Sequence, residues 1–217
     1  GSDDASPANE SNENVTSDGR AEQGPGDVNS AVPPNVKPAR FNQVEPGKTS
    51  LAELKKVWGE PADVAIDGQF RVLAYKMESF KRVEAAVAGG VVTSIVVHLE
   101  NTLPPGHISK LLGLDDLVAV PIADQFGQLL GQVFPERGVL FSFVPDKRDP
   151  HVAQILLEPI GAEPFIVRAE HDFDHEYRRN LVDINYAIKL DPQAARAHWL
   201  KAKLLVATGR YEEGLTS

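Results

Sequence analysis

The sequence predicts an α+β fold: two tandem helix-plus-antiparallel-sheet units followed by an all-α helical segment. Three observations carry this. Apolar residues recur at every second position through much of 70–99 and again through 138–158, the pattern of strands with one face on a core. Glycine and proline fall at the ends of these runs, where turns need them. Beyond Pro164 the apolar period changes to 3.6. With 217 residues, 42% of them apolar, the chain has material for one or two domains and can bury a substantial core. The divisions that follow are a disordered polar tether over 1–40, a first unit over 41–100, a second over 101–163 and helices over 164–217.

The tether holds four valines but no Leu, Ile, Met, Phe, Tyr or Trp, beside five prolines and four glycines. It cannot bury enough apolar surface to offset the entropy of ordering it. In the first unit Ser50 and Glu53 have the spacing of a capping box. Leu51, Leu54, Val57 and Trp58 then make one helical stripe, ended by Gly59 and Pro61, with Trp58 expected to be largely buried between helix and sheet. Strands follow. Phe70 to Met77 sends Leu73, Tyr75 and Met77 to one side, Arg82 to Ala88 does the same with Val83, Ala85 and Val87, and Val91 to Leu99 is apolar on both faces. Gly89-Gly90 suits a two-residue turn with positive φ at both central positions, which sets Ala88 opposite Val91 and Val87 opposite Val92.

The second unit reads similarly. Pro105-Gly106 leads into Ile108, Leu111 and Leu112, with Gly113 as a stop; a further helix is expected over Ile122 to Leu130, before Gly131. Strands over Gly138 to Val144 and His151 to Glu158 are joined by the charged loop Pro145 to Pro150. Val91–Ile95 superposes on His151–Ile155 at an offset of 60 residues, which fits a duplicated unit and fits chance similarity as well. In the C-terminal segment one helix is expected over Glu170 to Leu190, carrying Phe173, Tyr177, Leu181, Ile184 and Ile188, and broken at Asp191-Pro192. A second runs from Gln193 to Thr208 before Gly209, and a third begins at Arg210.

Formal charge is −9, and the tether, with 7 acidic and 3 basic residues, carries −4 of it. A chain so balanced argues against a general nucleic-acid backbone binder, which usually shows a basic face, and no nucleic-acid partner is expected. Without cysteine there is no disulfide, thiol nucleophile or thiolate metal site. The longest strongly apolar run free of Asp, Glu, Lys and Arg, Val91 to Leu99, has nine residues, against the roughly 18 a spanning helix needs. Membrane attachment would then come only through a signal or lipid-anchoring segment ahead of the tether; an ordinary flexible terminus fits the same composition. Gly47-Lys48-Thr49 suggests a phosphate loop, but Asn42 stands where its first glycine belongs. His171 and His175, at i and i+4, have helical ligand spacing but no third ligand. No catalytic residue, metal or cofactor is expected.

Two resemblances bear on function. Ala187, Pro192, Ala202, Leu205 and the Gly209-Arg-Tyr211 turn match the tetratricopeptide repeat without a gap over the 29 residues to Leu215, though His198 and Lys201 stand where that family has Trp and Leu. The resemblance implies helix pairs stacked into a superhelix with a concave protein-binding face, and further 34-residue repeats beyond Ser217. Its ligand-facing positions fall on Arg196, Trp199 and Lys203, with Trp199 fitting core as well as contact. The run Phe41-x-x-Val44-x-x-Gly47 through Leu51, Leu54 and Trp58 to Pro61 resembles the SmpA/OmlA outer-membrane lipoproteins, whose fold occurs duplicated in β-lactamase inhibitor proteins. That likeness implies an extracytoplasmic adapter or inhibitor-like module. The expected function is a non-enzymatic protein-binding or assembly module, an extracytoplasmic bacterial scaffold whose partner is a protein or peptide. The alternatives are an enzyme with a site dispersed over the sheet and a cytosolic tetratricopeptide adapter.

Overall fold

The computed structural model of the protein describes residues 33, 35–145, 149–173 and 175–209. Helix α1 (Leu51–Trp58) starts where Ser50 Oγ accepts from the amide of Glu53 and Glu53 Oε2 accepts from the amide of Ser50, the expected reciprocal cap. These bonds from Ser50 hold the Glu53 carboxyl below the usual carboxylate range. Four strands follow as a meander: β1 (Asp63–Asp67), β2 (Phe70–Tyr75), β3 (Phe80–Ala88) and β4 (Val91–Leu103). Helix α2 (Pro105–Leu111) leads to four more, β5 (Val120–Ala123), β6 (Leu129–Phe134), β7 (Val139–Phe143) and β8 (Val152–Leu157). Three helices close the described chain: α3 (Glu163–His171), α4 (Tyr177–Leu190) and α5 (Ala195–Ala207).

All eight strands form one antiparallel sheet in the order β1-β2-β3-β4-β8-β7-β6-β5. The expectation of two tandem helix-plus-sheet units is therefore corrected. β4 pairs with β8 at the centre, Ile95 opposite Leu157 and Val97 opposite Ile155, so residues on both sides of position 100 share one sheet and one core. The class is α+β, with a single sheet body followed by helices. The helix expected over Ile122 to Leu130 is instead the β5–β6 hairpin. Asp124 Oδ1 accepts from the amides of Phe126 and Gln128, a side-chain-capped turn that competes with helix. Phe126, which would have joined a buried helical stripe, is exposed.

The sheet core lies on one face. Leu73, Tyr75, Val83, Ala85 and Val87 come from β2 and β3, and Leu54 of α1 and Ile108 of α2 cover them. Gly89 and Gly90 have φ +58° and +82°, and the expected partners Ala88/Val91 and Val87/Val92 are opposed. One residue further the register shifts between Ala86 and Val87. This bulge resets the alternation of β4, so that Val92, Ile95 and Val97 all reach the core although 92 and 95 differ in parity. Trp58 is half-buried rather than largely buried as expected, edge-on to Phe41 and Tyr75 at 5.7 and 5.1 Å between centroids, and its Nε1 donates to Asn42 O at 3.0 Å.

The boundary of the tether also moves. The amides of Lys37 and Ala39 donate to Glu136 O and Arg137 O, each at 2.9 Å, so the chain already lies on the sheet body before residue 40. The rest of the expected tether, 1–32 and 34, lies outside the described residues, as does the third helix expected from Arg210. The single helix expected over Glu170 to Leu190 is broken into α3 and α4. Asn180 Nδ2 donates to Asp172 O at 2.8 Å and holds the turn between them. α3 starts earlier than the periodicity suggested because Pro164 suits the first turn, where no amide donor is needed. The helices have their own core, with Phe165, Leu181, Ile184, Ala187, Leu200 and Leu204 fully or almost fully buried.

Two substitutions test this architecture. Gly138, at the β6–β7 turn, has φ +62°, and a Cβ there would meet Glu158 O at 2.2 Å; Gly138→Ala is expected to cost about 2–3 kcal/mol in urea unfolding. Phe141→Ala, in the fully buried centre of the sheet, is expected to cost about 3–5 kcal/mol by the same measurement.

Candidate functional site

α5 is apolar on more than one side, and burial separates its faces. Ala197, Leu200, Leu204 and Leu205 pack into the helical core. Arg196, Trp199 and Lys203, at i, i+3 and i+7, share one exposed stripe, so the structure does bring the three expected contact residues together. Asp191 Oδ1 accepts from the amide of Gln193 at 3.0 Å, shaping the short connection from α4.

The three differ in what they offer. Arg196 is engaged with α3, its Nε donating to Glu170 Oε1 at 2.7 Å and its terminal nitrogens bonding to Glu170 and Glu163. Hydrogen bonds from Arg196 to Glu170, with the Glu163 charge beside them, raise its affinity for the proton. Its charge is thereby neutralised locally, and it acts as a staple between α5 and α3. Lys203 Nζ lies 4.3 Å from the centroid of the Phe173 ring and 5.3 Å from that of Trp199, within reach of cation–π attraction. Trp199 is 59% exposed and so is not a core residue. The face presents an indole plane with an ammonium beside it.

A second charged cluster is buried and was not singled out by sequence reasoning. Arg168 of α3 is 3% exposed and Asp183 of α4 is 1% exposed. Arg168 Nε and Nη2 donate to the two oxygens of Asp183 at 2.8 and 2.7 Å; Nη2 also lies 2.6 Å from Glu136 Oε1, and Nη1 donates to Val118 O at 3.2 Å. Burial works against the Arg168 charge, but bonds to Asp183 and Glu136 outweigh it and keep the guanidinium protonated. At Asp183 burial dominates and pushes the carboxyl upward against the pull of Arg168. The signal in the sequence was a charged residue on a buried stripe: Arg168 stands three residues after Phe165, and Asp183 directly precedes Ile184.

The tempting motifs resolve into local structure. Thr49 Oγ1 accepts from the amide of Glu45 at 2.9 Å, and Gly47-Lys48-Thr49 forms the turn into the α1 cap. His171 ends α3, whereas His175 lies beyond it, so the two do not share a helix face; His171 Nδ1 lies 3.0 Å from Asp172 Oδ1. Among the described residues no group of three His, Asp or Glu could hold a metal ion, and no helix is long and apolar enough to cross a membrane.

No family model matches the chain, and no curated protein matches it. Among solved structures it is similar to an extracellular protein containing an SCP domain from Bacillus anthracis, at 12% identity over 56% of this chain and 48% of that one, with a TM-score of 0.38. A DUF4309-family protein from Bacillus subtilis shares 15% identity over 57% and 87% of the two chains, with a TM-score of 0.35. A cysteine-rich secretory protein from Staphylococcus aureus shares 9% over 52% and 43%, with a TM-score of 0.32. The chain thus spans about half the length of the first of these, 48%. Likenesses this distant bear on neither activity nor partner.

Asp183→Ala is expected to cost about 3–5 kcal/mol in chemical denaturation, because Arg168 stays buried with its bidentate partner removed. A pH series adds a second expectation. The bond from His171, followed by the charges of Arg179, His171 and Arg168, holds the Asp172 carboxyl below its ordinary value. A carboxyl lowered in the folded state stabilises the fold above its unfolded pKa, about 3.9, and that contribution is lost as pH falls through the folded value. The urea midpoint should therefore drop on acidification below about pH 4, and Asp172→Asn should flatten that drop.

Proposed function

We propose that this protein is a non-enzymatic binding or assembly module that works outside the cytoplasm, engaging a protein or peptide through the outer face of α5. The observation that carries the reading is Trp199. A large aromatic ring left 59% exposed on a well-packed helix, with the Lys203 ammonium over it at 5.3 Å from the centroid, is the anchor type that dominates protein interfaces. The chemistry favours a partner segment presenting an apolar side chain for the indole and a carboxylate for Lys203. The tetratricopeptide reading of α4 and α5 supports the choice of face: Ala187 and Leu205, its small and large apolar positions, are both buried in the helical core. Placement outside the cytoplasm rests on the polar leading segment and on the SmpA/OmlA-like pattern from Phe41 to Pro61.

A photo-crosslinking amino acid at position 199 should capture a discrete partner in cells making the protein, and the same group at position 66, still more exposed on β1, should not. Against that partner Trp199→Ala should weaken binding by about 30-fold or more, the scale of an interface hot spot, while changing stability by less than about 1 kcal/mol. Equal capture from positions 199 and 66 would count against the reading.

A further inference from the structure

On the core side of the sheet, away from α5, the stretch 37–41 bridges an opening between the strands and the segment after α2. Beneath it lies a cavity of about 410 Å³, within the roughly 300–1,000 Å³ typical of small-molecule sites. Its lining divides sharply. Ten of its thirteen residues are apolar, and the remaining three, Lys37, Arg40 and Arg137, are all basic. The deep wall is made of the buried side chains Val97, Leu114, Val139 and Leu157, which offer no hydrogen bond. At the outer edge Lys37 and Arg40 are exposed and Leu112 is 48% exposed.

This clustering of positive charge runs against the character of the molecule, whose net charge is −9 with no acidic residue in the cavity lining. Arg40 shares its charge with Glu45 at 2.5 Å, and Arg137 donates through Nη1 to Asn35 O, a neutral acceptor. The turn between β6 and β7 explains how Arg137 arrives there: Glu136 turns inward to Arg168, and the next residue lines the cavity instead. The stretch that forms the outer wall is pinned to the same turn by the amides of Lys37 and Ala39.

From this apolar floor under a cationic rim we infer that the cavity binds a single-chain amphiphile with an anionic head, of the fatty-acid class: the acyl chain lies on Val97, Val139 and Leu157, and the carboxylate meets Lys37 and Arg137. Charge complementarity selects this occupant over a neutral or cationic one of equal tail. The site is separate from the α5 face and does not depend on the protein-binding role proposed there.

The test is calorimetric titration of the full chain with dodecanoate, dodecyltrimethylammonium and dodecyl maltoside below their micelle concentrations. Dodecanoate is expected to bind with a Kd below about 100 μM and at least about tenfold more tightly than either control. Lys37→Glu, at an exposed position, should raise the dodecanoate Kd by about tenfold or more, and Leu112→Trp, which fills the opening, should do the same. Thermal unfolding without ligand, unchanged in both variants, establishes that they are folded. The proposal is overturned if dodecanoate binds no more tightly than the cationic or neutral amphiphile, if Lys37→Glu leaves its Kd unchanged, or if no binding is seen up to about 1 mM. It is equally overturned if sedimentation shows a dimer that dodecanoate does not dissociate and Leu112→Trp does, since a second copy would then occupy the face.

Discussion

Arg168 holds the sheet and the helices in one arrangement. Its guanidinium is buried between Asp183 of α4 and Glu136 of the β6–β7 turn, with Val118 O taking a further donor. Removing such charges from water costs several kcal/mol per ion and is offset only when the geometry is met. The apolar contacts around it are non-directional and would tolerate sliding; a bidentate ion pair would not. The consequences spread in two directions. The position of α3 places Glu163 and Glu170, which hold Arg196 and thereby the orientation of α5 and Trp199. On the sheet side, fixing Glu136 inward decides that Arg137 lines the opposite cavity.

Among the described residues, α1 and α2 cover one face of the sheet. α1 and α2 both pack on the side of Val83, Ile95 and Phe141. The reverse side carries half-buried Glu84 and His98, with His98 Nε2 lying 3.1 Å from Glu84 Oε2. A one-sided antiparallel sheet needs strict alternation, and the bulge beside Val87 is what lets β4, apolar on both faces in sequence, keep a single inward set.

Local signals were legible, and pairings between distant segments were not. The Ser50–Glu53 cap, the Gly89-Gly90 hairpin with its register, and the strands β2, β3, β7 and β8 follow from residues within a few positions of one another. The hairpin β5–β6 was misread because Ile122, Phe126, Leu129 and Leu130 imitate a helical stripe, and only the Asp124 side chain turning back on Phe126 and Gln128 breaks it. β1 was missed for a related reason: Asp63 to Asp67 is exposed throughout, so its place at the sheet edge leaves no burial pattern. The joining of β4 to β8 had no local signature at all, and with it went the expectation of two separate units. At α5 the tetratricopeptide resemblance pointed to Arg196, Trp199 and Lys203, but the capture of Arg196 by Glu163 and Glu170 required the α3–α5 approach, which no periodicity reports.

The central position of β8 has a bearing on biosynthesis. Every other pairing in the sheet joins strands adjacent in the sequence, so each meander assembles from short-range contacts, which form quickly. β4 is different: one of its edges is met by β3 at once, but the other stays unpaired until the ribosome has delivered β8. During that interval the nascent chain carries an open strand edge along Val91–Leu103, rich in valine, which is the feature that recruits neighbouring chains into aggregates. β8, the last strand in the sequence, is therefore the closing piece of the sheet, and how long the β4 edge stands open is set by how soon the nascent chain reaches Leu157.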